Sequence, residues 1–176
     1  MMVGILRDVG GPKPYHQDNW YFGVSSSDDV ITAWVSVDEA VEDNGTLRYI
    51  DGAHRRGLVP HAVTNPAEPF NVNALESEFD RSREVVAPVP QGGVLFHHGA
   101  ALHASGANRT PTHRRAYAIH YVAADCQFYE DSPTAVNGLP LRGLLSASAE
   151  ETQSTARLVA VDGASAEHQG VARSKL

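Results

Sequence analysis

An all-β core folded as a double-stranded β-helix, the jelly-roll or cupin-like architecture, is what this sequence predicts, on three observations. Glycine and proline are frequent, 15 and 10 of 176 residues, and they punctuate the apolar runs. The runs themselves are short and rich in β-branched and aromatic residues. Long polar loops lie between them, a spacing that suits a jelly roll better than a helix bundle.

In chain order, the run 30–37 (Val-Ile-Thr-Ala-Trp-Val-Ser-Val) predicts a strand. Asn44-Gly45 is a turn signal, and a second short strand follows over 46–50. From 51 to 90 the pattern is loop-like, with Pro60, Pro66, Pro69 and a polar stretch from Glu76 to Glu84; a short helix is expected near 74–83. Pro90-Gln91-Gly92-Gly93 turns into a strand over 93–98, and 115–122 predicts another. From Gly143 onward Ser, Ala, Glu and Gln dominate without periodicity, so a domain over 1–140 and a flexible tail over 141–176 are expected.

Composition excludes several classes of partner. A net charge of −7 argues against nucleic acid, which needs a basic footprint. No apolar run approaches the roughly 18 residues of a membrane span. The N-terminus has neither the basic flank nor the long apolar segment of a signal peptide. Cys126 stands alone and cannot form an internal disulfide, which fits a cytoplasmic location. Nine histidines are the count that stands out, and they point toward metal.

His16 and Asp18 lie at i and i+2, so an extended segment turns both side chains to one face. A distant histidine would complete the set of two imidazoles and one carboxylate that holds non-haem Fe(II) and leaves positions open for a co-substrate and O2. His97 and His98 occupy adjacent strand positions, so only one can face a barrel interior. His103 is favoured as the ligand because small Ala104, Ser105 and Gly106 let a ligand approach; His97 or His98 is then a packed or supporting group. Arg114 shares one face of its strand with Ala116, Ala118 and His120. If that face is interior, Arg114 sits at the mouth beside the metal, a planar fork suited to a carboxylate.

Read in order, these pieces resemble the phytanoyl-CoA dioxygenase family of Fe(II)/2-oxoglutarate-dependent oxygenases. The matching stretches are His16-Gln17-Asp18-Asn19-Trp20-Tyr21, Ala33-Trp34-Val35-Ser36-Val37-Asp38, Asp43-Asn44-Gly45-Thr46-Leu47 and Ile50-Asp51-Gly52-Ala53-His54-Arg55. They continue through Gly93-Val94-Leu95-Phe96-His97-His98-Gly99 and Leu102-His103-Ala104-Ser105-Gly106-Ala107-Asn108 to Arg114-Arg115-Ala116. The resemblance implies His16, Asp18 and His103 as catalytic iron ligands. It implies Arg114, helped by Ser105, as the anchor of the 2-oxoglutarate distal carboxylate, with Gln17 and Trp34 lining that pocket. Retention of Asp18 implies hydroxylation and not halogenation.

The expected function is therefore a dioxygenase that hydroxylates a small molecule with Fe(II), 2-oxoglutarate and O2, releasing succinate and CO2. Substrate contacts are expected from 51–90 and from Trp20 to Ser27, with His54, Arg55, Arg56 and His61 as candidates. The resemblance also implies an N-terminally shortened jelly roll, whose unpaired sheet edge is compatible with a homodimer. Two alternatives stand beside this reading: a catalytically incomplete domain that binds metal or a partner, and a cupin-type metalloenzyme that does not use 2-oxoglutarate.

Overall fold

The structure, a computed structural model, describes residues 2–5, 11–63, 67, 72–129, 138–140 and 157–159, the first and last two of these segments by backbone alone. The strands are β1 (Met2–Ile5), β2 (Lys13–His16), β3 (Val30–Ser36), β4 (Leu47–Ile50), β5 (His61–Val63) and β6 (Val72–Ala74). They continue as β7 (Glu84–Ala87), β8 (Val94–His98), β9 (His103–Ser105), β10 (Arg114–Val122), β11 (Gly138–Pro140) and β12 (Arg157–Val159). One short helix, α1 (Asp18–Phe22), follows β2 and ends at Gly23 in the left-handed region, φ 66°.

All pairings among the described residues are antiparallel. One sheet runs β11-β12-β10-β3-β8, with β1 also on β10; the other runs β2-β9-β4-β7, and β5 pairs with β6 as a separate hairpin. This is the jelly-roll fold, with sheets that do not close among the described residues: there β8 is an edge of the first and β2 and β7 are edges of the second. Among the described residues no helix is long and apolar enough to cross a membrane.

Alternation dictates what lies between the sheets. Along β10, Arg114, Ala116, Ala118, His120 and Val122 are buried while Arg115 and Tyr117 are exposed. Trp34, Ala116 and Ala118 of the first sheet pack with Leu47 of the second and with Ala40 and Val89. Phe22, Val24, Val30 and Val122 form another cluster where β3 begins and β10 ends. Each such side chain, fully buried, contributes on the order of 1.5–3 kcal/mol.

Asn44 and Gly45 form the expected turn. The Asn44 carboxamide accepts from Val41 N–H at 2.8 Å and donates to Glu39 O at 2.7 Å. Gly45 has φ +87°, and a Cβ there would lie 2.3 Å from Gly106 O. Gly45→Ala is therefore expected to destabilise the protein by roughly 3 kcal/mol, from left-handed strain plus the backbone clash. Urea unfolding measures it, and a loss below about 1 kcal/mol would mean the Gly45–Gly106 approach is slack.

Two expectations are corrected. The stretch near 74–83 is not an α-helix but two 3-10 turns, Glu76–Glu78 and Arg81–Arg83. Phe79 between them is extended (φ −147°, ψ 155°) and lays its ring 4.9 Å from that of Tyr15. Asp80 then starts the next turn by accepting from Ser82 N–H at 2.9 Å. Docking of one aromatic ring thus overrides the helical composition. Within the span read as loop, β7 pairs in full with β4, and β5 pairs with β6. The tail expected from 141 onward lies outside the described residues, apart from the backbone of β12, which pairs with β10 and β11.

Candidate metal and co-substrate site

His16 ends β2 and Asp18 opens α1, with Gln17 extended between them (φ −124°, ψ 130°). That one extended residue sends His16 and Asp18 to the same side, as their spacing predicts. His103 opens β9 directly opposite His16 in the pairing, with the two rings 4.2 Å apart. The ligand atoms of His16, Asp18 and His103 all lie within 4.8 Å of one another. Asp18 Oδ1 is 3.9 Å from His16 Nε2 and 3.7 Å from His103 Nε2.

Local backbone aims both rings in the same way. His16 Nδ1 lies 2.9 Å from Pro14 O, and His103 Nδ1 lies 2.9 Å from Ala101 O. A carbonyl only accepts, so each Nδ1 carries the proton and each Nε2 offers its lone pair to the cluster. Burial pushes the His16 imidazole down to about 4, against the pull of Asp18. Burial, and then His16, holds His103 well below its ordinary value. Burial alone would raise the Asp18 carboxyl, but His103, His97 and His120 hold it well below the usual carboxylate range. At neutral pH the cluster therefore offers two neutral nitrogens and one anionic oxygen. That donor set fits Fe(II) and carries none of the thiolates that softer ions prefer.

Arg114 fills the expected interior position. It is 1% exposed, its guanidinium carbon lies 5.4 Å from the centre of the Trp34 ring, and its Nε and Nη1 have no hydrogen-bond partner among the described residues. Burial pushes its pKa down to about 10, which leaves it charged at neutral pH. A buried cation without a counter-charge costs several kcal/mol. Its planar donors therefore fit the carboxylate of an acid such as 2-oxoglutarate.

A sequence profile of the family described as phytanoyl-CoA dioxygenase matches residues 6–116, a span that contains the whole cluster and Arg114. The chain belongs to the phytanoyl-CoA dioxygenase family. It is 30% identical over 120 residues to phytanoyl-CoA dioxygenase domain-containing protein 1 of Danio rerio, covering 66% of this chain and 41% of the relative. It is 31% identical over 126 residues to a probable alpha-ketoglutarate-dependent hypophosphite dioxygenase of Stutzerimonas stutzeri, covering 70% and 44%. Among solved structures it resembles EvdO2 of Micromonospora carbonacea var. aurantiaca complexed with 2-oxoglutarate, at TM-score 0.62 and 25% identity over 74% of this chain and 53% of that one. The chain thus spans less than half the length of these curated relatives.

Other expected site residues of this phytanoyl-CoA dioxygenase family chain find different surroundings. Trp34, 3% exposed, underlies Arg114. Gln17 is fully enclosed, and its amide is committed to backbone: Nε2 donates to Gly57 O and Ala100 O, each at 2.8 Å, and Oε1 accepts from Val59 N–H at 2.8 Å. It braces the segment between His16 and Asp18. The Ser105 hydroxyl accepts from Lys13 N–H at 3.3 Å and makes no hydrogen bond with Arg114 among the described residues. Sequence reasoning left His97 and His98 undecided; His97 faces inward, and His98 pairs outward with Asp28 at 2.9 Å. It missed Thr32 and Tyr49, which also serve the cluster, although alternation from Trp34 puts Thr32 on the interior face.

Of the expected substrate contacts, Arg56 donates to Glu78 O. His61 is structural: its ring stacks on Trp20 at 4.9 Å, and Nε2 accepts from Gln17 N–H at 3.2 Å. Burial pushes His61 down to about 4. The folded state then binds fewer protons than the unfolded chain once pH falls below about 6.5, so its stability contribution is complete above that value and lost toward pH 4. His61 alone is expected to cost roughly 3 kcal/mol over that window. Urea unfolding between pH 7 and 4.5 checks this, and pH-independent stability would contradict it.

Proposed function

We propose that this chain is an Fe(II)- and 2-oxoglutarate-dependent oxygenase that hydroxylates a small molecule, with O2 and 2-oxoglutarate ending as the new hydroxyl group, succinate and CO2. The observations that carry the reading are the His16–Asp18–His103 cluster and the buried guanidinium of Arg114, whose Nε and Nη1 have no hydrogen-bond partner among the described residues. In this reading His16 and His103 would each offer a nitrogen and Asp18 an oxygen to the metal. Bound there, iron supplies the oxygen activation that couples decarboxylation of the co-substrate to hydroxylation. Arg114 fixes the far carboxylate of 2-oxoglutarate, with Trp34 beneath it excluding water. A metalloenzyme that does not use an acidic co-substrate would have no need of that buried fork.

Substrate contacts are proposed at a cleft of about 660 Å3 beside α1, lined among others by Ser26, Ser27, His54, Arg55 and His98. This volume lies within the range of small-molecule sites, and its lining, which also includes Asp28, suits a substrate with hydrogen-bonding groups. The direct test is succinate formation from 2-oxoglutarate by iron-loaded protein under air, followed by NMR. Slow turnover without substrate, lost in His103→Ala, supports the proposal. No succinate from folded, iron-loaded protein over a panel of substrates would overturn it.

A further inference from the structure

We propose that His97 and Thr32 are positioning residues that clamp one oxygen of Asp18, so that the carboxylate meets the metal through the other oxygen alone. The inference rests on the reading of His16, Asp18 and His103 as metal ligands.

The register puts a polar row beneath Asp18. His120 of β10 pairs with Thr32 of β3, and Thr32 pairs with His97 of β8. All three are buried on the interior face of the sheet. Asp18 Oδ2 lies 2.6 Å from Thr32 Oγ1 and 2.9 Å from His97 Nε2. Behind these, His120 Nδ1 is 2.8 Å from Thr32 Oγ1, and Tyr49 Oη is 2.9 Å from His97 Nδ1.

The protons can be assigned from the carboxylate outward. An ionised carboxylate only accepts, so Thr32 O–H and His97 Nε2–H both donate to Oδ2. Thr32 has then used its one hydroxyl proton and must accept from His120 Nδ1–H. With its proton on Nε2, His97 accepts at Nδ1 from the Tyr49 hydroxyl, which burial holds protonated. Two chains of donors, Tyr49 to His97 and His120 to Thr32, converge on one oxygen. The other oxygen, Oδ1, faces His16 and His103.

This gives the clamp a role in chemistry. A carboxylate free to rotate can bind a metal with both oxygens. That would occupy a coordination position which the co-substrate and O2 require. Satisfying Oδ2 twice, with charge-assisted bonds, holds Asp18 to one-oxygen binding. The outer donors Tyr49 and His120 fix the orientation of the inner pair, as outer partners of metal ligands generally do.

Two measurements test the inference. In metal-free wild-type protein, long-range 15N–1H correlation spectra of the histidine rings are expected to show the proton on Nε2 of His97 and on Nδ1 of His120. A proton on Nδ1 of His97 would overturn the assignment. Separately, Co(II) is titrated into the full chain and followed by its visible absorption, with loss of binding in His103→Ala as the control for the metal reading. His97→Leu is expected to weaken Co(II) about 10- to 100-fold and to alter the absorption bands. His97→Gln, whose amide can still donate to Oδ2, is expected to recover most of the loss. Tyr49→Phe is expected to weaken binding less than His97→Leu does. Wild-type affinity and an unchanged spectrum in His97→Leu, with the control behaving as stated, would overturn the clamp and leave the metal site standing.

Discussion

Arg114→Met is expected to weaken 2-oxoglutarate binding and, at the same time, to make the metal-free protein more stable. Truncating one partner of a buried charge pair costs about 2–5 kcal/mol, roughly 30-fold to several-thousand-fold in affinity. The opposite sign in stability arises because Arg114 is 1% exposed, and two of its nitrogens have no partner among the described residues. Replacing a buried charge with an apolar side chain of similar length is expected to raise unfolding free energy by about 1–4 kcal/mol. Calorimetric titration of metal-loaded protein with 2-oxoglutarate, and urea unfolding of the apoprotein, read the two effects. Lower stability together with unchanged affinity would mean that Arg114 serves the fold and not an anion.

Asp18→Ala is expected to lower metal affinity by more than the about 100-fold upper range for losing an outer hydrogen-bond partner. It removes the anionic donor, and it leaves the donors of Thr32 and His97 facing a void. Wild-type protein at a metal concentration about 100 times its Kd gains roughly 2.7 kcal/mol of stability. The variant is expected to gain less than about 0.4 kcal/mol at the same concentration, which appears as a missing rise of several degrees in melting temperature. An equal rise in both proteins would place the metal elsewhere.

Much of this arrangement was legible in the sequence because strand periodicity is strict. Alternation alone put Arg114, Ala116, Ala118 and His120 on one face, and the structure buries all four. The His16–Asp18 spacing required only that Gln17 be extended, which it is. Other features depended on pairing between distant segments. Nothing local distinguishes His97 from His98 until the register of β8 with β3 sets His97 beside Thr32. Gln17 reads as an available polar group, yet its amide is taken up by Gly57, Val59 and Ala100, residues remote in sequence. β7 escaped notice because Glu84-Val85-Val86-Ala87 is short and follows a charged stretch; its pairing with β4 supplies the order. Phe79 broke the expected helix for a similar reason, a ring contact with Tyr15 that no local window contains.

The central claim is one site that holds both a metal and an acidic co-substrate. Its most direct test is anaerobic titration of the apoprotein with Fe(II) and then 2-oxoglutarate, followed by visible absorption. A weak metal-to-ligand charge-transfer band is expected in the wild type, absent in His103→Ala and absent or much weakened in Arg114→Met. Failure of the band to form in folded, iron-loaded wild-type protein would contradict the claim.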